Sequence, residues 1–208
     1  MHNIFKILIS IGLAYCIMII MGCVDKKPVY KCAIPSEVRL REGDVVFRRG
    51  GGMESYIVMA VDRKGHYSHV GIVVDSAGFP MIVHAVPGEP DFNGDLDRVK
   101  MDAPEHFFSS EFTSTGEVCR IADTAVAGRA AQAALAVYKR KTLFDHEYDD
   151  RDTTRMYCTE LIVYAYNRAG LSLVSDERHE VCLLTFSANC IFPSDIRNSK
   201  YLEAIAIF

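Results

Sequence analysis

The chain has 208 residues, half of them hydrophobic, which suits one domain of ordinary size and excludes disordered or low-complexity architectures. Lys and Arg number 23 against 27 Asp and Glu, a net charge of −4, and Lys6 is the lone charge in residues 1–22. The mildly acidic body argues against a nucleic-acid partner, which needs a basic face to displace counterions, though net charge leaves a local basic patch open.

The first element is an apolar run, Ile7–Met21, behind Lys6. It reads as an export signal and is short for a spanning helix of about 20 residues. The run ends in Ile20-Met21-Gly22-Cys23, which resembles the lipobox of bacterial lipoproteins. That resemblance implies removal of residues 1–22, diacylglycerol on Cys23 and anchoring in the bacterial cell envelope, with the membrane as a partner through Cys23. Residues 23–36, polar and holding two prolines, read as a tether to a domain over 37–208. Beyond Cys16 and Cys23 five cysteines remain: Cys32, Cys119, Cys158, Cys182 and Cys190. The odd number leaves at least one thiol unpaired, and the spacing does not choose between two disulfides and none.

β-Branched and aliphatic runs between turn residues predict strands at Asp44–Arg48, His69–Asp75, Pro80–Ala85, Glu117–Ile121 and Leu202–Phe208. Helices are predicted over Met53–Val61, Ala125–Lys141 and Tyr157–Ala169. The last places 158, 161, 162, 165 and 169 on one apolar face, with Thr153 or Thr154 as its cap and Gly170 as its stop. The order implies an α+β domain with a mostly antiparallel sheet.

Cys158 falls in the first turn of that helix, where unpaired N–H groups and the helix dipole favour thiolate. A buried Cys serving as a small hydrophobe is the structural alternative. His69 and His84 stand on two strands joined by Ser76–Phe79, and a hairpin centred near residue 77 sets 69 or 70 opposite 84. The two imidazoles are then adjacent or diagonal, one as general base for the thiol and the other as its orienting partner.

The segments Gly43–Phe47, Tyr67-Ser68-His69-Val70-Gly71-Ile72-Val73, Val83-His84-Ala85, Tyr157-Cys158-Thr159-Glu160-Leu161 and Phe192-Pro193-Ser194-Asp195-Ile196 together resemble the YiiX-like permuted papain-like cysteine amidases of the NlpC-type superfamily. The resemblance covers about residues 42–198 and implies a circularly permuted fold, with His before Cys and the sheet packed against the helix that bears the nucleophile. It makes Cys158 the nucleophile and His69 the base. His84 stands where many members carry Glu, as in the related lecithin-retinol acyltransferase branch, and a neutral His there stabilises an imidazolium less than a carboxylate does. The Cys158 N–H and Tyr157 are candidate oxyanion donors. The implied substrate is a peptide, small molecule or lipid with an amide or ester bond, and no cofactor is implied. A transferase of this fold and a ligand-binding lipoprotein with an inert Cys158 are the rival readings.

The other features read as structural. Gly50-Gly51-Gly52 lacks the Lys of a phosphate-binding loop and reads as a lip of the cleft. Asp145–Asp152 lacks Ca²⁺-loop spacing. His66, His69, His84 and Cys158 are a weak zinc set, because His66 and His69 point to opposite faces of an extended stretch. Glu160 reads as a cap or ion-pair partner.

Overall fold

The computed structural model describes residues 33–149, 151–183 and 186–208, the side chains of 182–187 excepted. The export segment, Cys23 and Cys32 lie outside these residues. Among those described, no helix is long and apolar enough to cross a membrane.

Among the described residues the strands are β1 Val45–Arg49, β2 His69–Ser76, β3 Phe79–Val86, β4 Arg98–Asp102, β5 Thr115–Ile121, β6 Leu143–Phe144, β7 Arg155–Met156, β8 His179–Leu183, β9 Phe186–Cys190 and β10 Leu202–Ile207. The helices are α1 Met53–Val61, α2 Pro104–Phe107, α3 Thr124–Lys139, α4 Cys158–Arg168 and α5 Pro193–Arg197. Eight strands form one sheet in the order β10-β5-β1-β2-β3-β4-β6-β7, antiparallel except for β6 beside β7, while β8 and β9 pair as a separate ribbon. The fold is thus the expected α+β class with a mostly antiparallel sheet.

Strand alternation divides the core. Val45, Phe47, Val70, Ile72, Val74, Val83 and Ala85 face α3 and α4 in the larger cluster. Val46, Val73, Ile82 and Val118 face the other way and pack on Phe107 and Phe108 around α2. Small side chains let α3 lie close: Ala127, Ala130, Ala131 and Ala134 are its buried positions, and Asp123 caps it by accepting from the N–H groups of Ala125 and Val126. Ile34, Val38 and Leu40 pack on the second cluster and the Ala33 N–H bonds Phe108 O at 2.8 Å, so the chain has docked by residue 33 rather than 37.

Every predicted element is present within two residues of its expected ends. Helix α4 starts at Cys158 because Glu160 accepts from the Tyr157 N–H at 3.3 Å. Thr153 and Thr154 precede the extended β7 and do not cap it. β4, β6–β9, α2 and α5 are additions. Two of them, α2 and α5, open on proline at the first turn, where a missing N–H is harmless.

Candidate functional site

The β2–β3 hairpin pairs Gly71 with His84, one step from the expected register. His69 therefore stands diagonal to His84 on the same sheet face, separated by a residue without a side chain. A Cβ on Gly71 would lie 2.7 Å from Ile82 Cγ2 and 3.3 Å from His84 Cβ. The space left lets the rings meet: His69 Nε2 and His84 Nδ1 are 2.9 Å apart. Phe107 packs on both rings, with centroids at 5.7 and 5.0 Å.

Behind His84 stands a carboxylate that the sequence did not reveal. Asp102, at the end of β4, pairs with Ile82 and so lies diagonal to His84. Its Oδ2 is 2.9 Å from His84 Nε2 and 3.0 Å from His106 Nδ1. Lys100 Nζ stands 3.7 Å away. Burial alone would raise the Asp102 pKa, but hydrogen bonds from His106 and His84 and the nearby charges carry it well below the ordinary carboxylate range. Burial, joined by the Arg48 charge, lowers the pKa of both histidines, His69 well below 6.5.

Beside an ionised Asp102 the hydrogen-bond chain has one self-consistent set of protons. An ionised Asp102 only accepts, so His84 Nε2 carries hydrogen and neutral His84 accepts at Nδ1. His69 must then donate through Nε2, which leaves Nδ1 as a bare lone pair. The chain Asp102–His84–His69 thus presents one basic nitrogen at its outer end.

Cys158, the first residue of α4, is half-buried. Burial pushes its thiol up to about 11, against the opposing pull of N–H groups from Val70, Thr159 and Cys158 itself and of the Arg48 charge. The expected thiolate-favouring donors are present, but burial outweighs them, so the resting pair is a thiol and a neutral imidazole. The Val70 contact brings the sulfur beside the residue that follows His69. Cys158 and His69 line one cleft of about 470 Å3.

Arg48 stands directly opposite His69 in the β1–β2 register, buried at 3% exposure. Its guanidinium lies over the Phe107 ring at 4.7 Å, donates to Phe107 O at 3.0 Å and pairs with Glu89. The second oxygen of Glu89, Oε2, is buried without a hydrogen-bond partner. Gly50, Gly51 and Gly52 form a lip of the cleft, as expected, and Ser55 and Ser68 hold the lip through bonds to the Gly50 backbone.

Other candidate residues lie elsewhere. Tyr157 is buried and its hydroxyl accepts from the Ile191 N–H at 3.2 Å, so it packs in the core instead of facing the cleft. His66 is exposed. Asp145 turns its oxygens on the N–H groups of Glu147 and Asp149, which folds the acidic loop upon itself. Ser194 bonds Asp62 at 2.7 Å, and Asp195 caps α5 and pairs with His179. Cys119, Cys158 and Cys190 are free thiols; the side chain of Cys182 lies outside the described residues. Asp102 had one legible signal, the alternation Arg98-Val99-Lys100-Met101-Asp102, and Arg48 had none, since a buried Arg at a strand end looks like a solvated one.

No family profile and no curated protein matches the sequence. Among solved structures, the chain is similar to one described as metalloprotein YiiX from Escherichia coli O157:H7, at 17% identity and a TM-score of 0.61. The match covers 81% of this chain and 98% of that one. The likeness is one of fold: the architecture is YiiX-like.

Proposed function

We propose that the protein is a cysteine hydrolase of the YiiX-like, circularly permuted papain-like kind, held in the bacterial envelope by lipid on Cys23, and that it cleaves an amide or ester bond. The observation that carries this reading is the hydrogen-bonded chain from Asp102 through His84 to His69, a residue that lines the same cleft as Cys158.

His69 Nδ1 takes the thiol proton as sulfur attacks the carbonyl carbon, so charge separates only during attack. The imidazolium formed at His69 is held by His84, and His84 by Asp102. Asp102 thus supplies the negative charge that His84 itself lacks. The Cys158 N–H and the Arg48 charge stand by the developing oxyanion. The tetrahedral intermediate expels its amine or alcohol, which takes the proton from His69, and a thioester remains. Water then bonds the thioester carbon through its oxygen while giving a proton to His69; the C–S bond breaks, the acid leaves and the Cys158 sulfur takes that proton back, and an acceptor amine or alcohol in place of water makes the same steps a transfer.

The neighbour's description as a metalloprotein raises the question of a metal here. The donors do not fit one. Among the described residues no three His, Cys, Asp or Glu side chains are arranged to hold an ion. His84 Nε2 and His106 Nδ1 converge on an Asp102 oxygen instead of an open point, and the other His84 nitrogen is spent on His69.

One observation favours the inert-thiol rival: burial raises Cys158. Alkylation of the folded protein by iodoacetamide against pH, with Cys158→Ala as blank, separates the two. The hydrolase reading expects labelling of Cys158 well below pH ~8.5, slowed about 10²-fold in His69→Ala. A rate that rises only in the alkaline range and is unchanged in His69→Ala refutes it.

A further inference from the structure

Helix α1 turns one apolar face to solvent. Met53, Tyr56 and Ile57 are 72%, 65% and 47% exposed, and Ala60 is exposed as well. These positions follow the i, i+3, i+4, i+7 spacing of one helix face, so the apolar stripe is turned to solvent. The opposite side supplies Glu54, Ser55 and Val58 to the cleft wall, and none of the helix's residues is buried. An apolar stripe that a domain leaves uncovered marks an interaction surface.

We propose that this stripe docks on an anionic bilayer surface. Charge points that way: Arg63 and Lys64, just beyond the helix, are exposed, and among the described residues neither has a side-chain partner. Cations beside an apolar stripe suit acidic headgroups above acyl chains. The path of the chain agrees. Ala33 lies ten positions beyond Cys23, a span of at most about 35 Å. Ala33 is bonded to Phe108, and Phe112, four residues on, lines the same cleft as Glu54 and Ser55. The position for a Cβ on Gly50 lies between them, 3.4 Å from Ser55 Cβ and 3.5 Å from Phe112 O. The lipid anchor proposed above at Cys23, on which this step rests, would hold this rim within reach of the bilayer, and docking would set the cleft mouth at its surface.

The chain contains no tryptophan, so one introduced indole reports alone. The full chain is extracted from membranes and reconstituted in phosphatidylglycerol-containing vesicles with brominated acyl chains. Tyr56→Trp, and Ile57→Trp as a second reporter, are compared with Phe79→Trp on the β2–β3 turn, which is 69% exposed. The expected result is blue-shifted emission and quenching at 56 and 57 at least about twofold stronger than at 79, and Arg63→Glu with Lys64→Glu reduces it to the level at 79. Equal quenching at all three positions overturns the proposal, as does a chain that fails to float with the vesicles. A blue shift at 56 without bromine quenching also overturns it, because protein then covers the stripe, whether a second copy or another partner.

Discussion

Asp102 determines what His69 can do, although the two side chains do not touch. Asp102→Asn keeps the size but offers an NH2 group, which can turn a donor toward His84 Nε2 and reverse both tautomers. His69 Nδ1 would then carry hydrogen and could not take a proton from Cys158. The expected loss in turnover of a chromogenic ester is about 10²-fold or more, with the iodoacetamide rate of Cys158 falling in parallel. Cys158→Ala should abolish the turnover. The sequence showed both histidines and the sulfur because each sat on a strong local pattern. It did not show Asp102, because the alternation of β4 speaks only for a strand, and nothing local sets its last carboxylate beside His84 until β3 is in place.

At the level of elements, the β2–β3 hairpin is tuned by an absent side chain. Gly71→Ala must move Ile82 or His84, since the new methyl would meet both, at 2.7 and 3.3 Å. Overpacking of this kind costs about 1–3 kcal/mol in denaturant unfolding. Activity should fall further than stability, because the shift acts on the 2.9 Å bond between the rings. The long strands and the three long helices were readable from periodicity. The short ones, β6 and β7 at two residues each and the proline-led α2 and α5, were not. Their existence depends on partners elsewhere in the chain rather than on local spacing.

For the whole molecule, contacts between distant parts of the chain set the response to pH and mutation. His69 and His84 are held neutral in the folded state, below the 6.5 of a free imidazole. The unfolded chain therefore binds more protons as pH falls below 6.5, and stability, complete above that value, declines beneath it. Asp102, depressed in the fold, adds a loss of the same sign at lower pH, below the free carboxylate value of about 3.9. The melting temperature of the wild type should fall between pH 7 and pH 5. The double variant His69→Gln, His84→Gln should show a flatter profile there. A second long-range tie joins the end of α1 to α5, where Ser194 holds the buried Asp62 across 132 positions. Ser194→Ala should cost about 1–3 kcal/mol by chemical denaturation, leaving a carboxylate oxygen unsatisfied.

The order of the parts along the chain has a consequence for biosynthesis. Arg48, His69, His84 and Asp102 all leave the ribosome before residue 103, whereas the cleft sulfur follows more than fifty residues later. A polypeptide released early would own a complete proton acceptor and nothing for it to activate. On the mechanism proposed above, reactivity waits until residue 158 has been added.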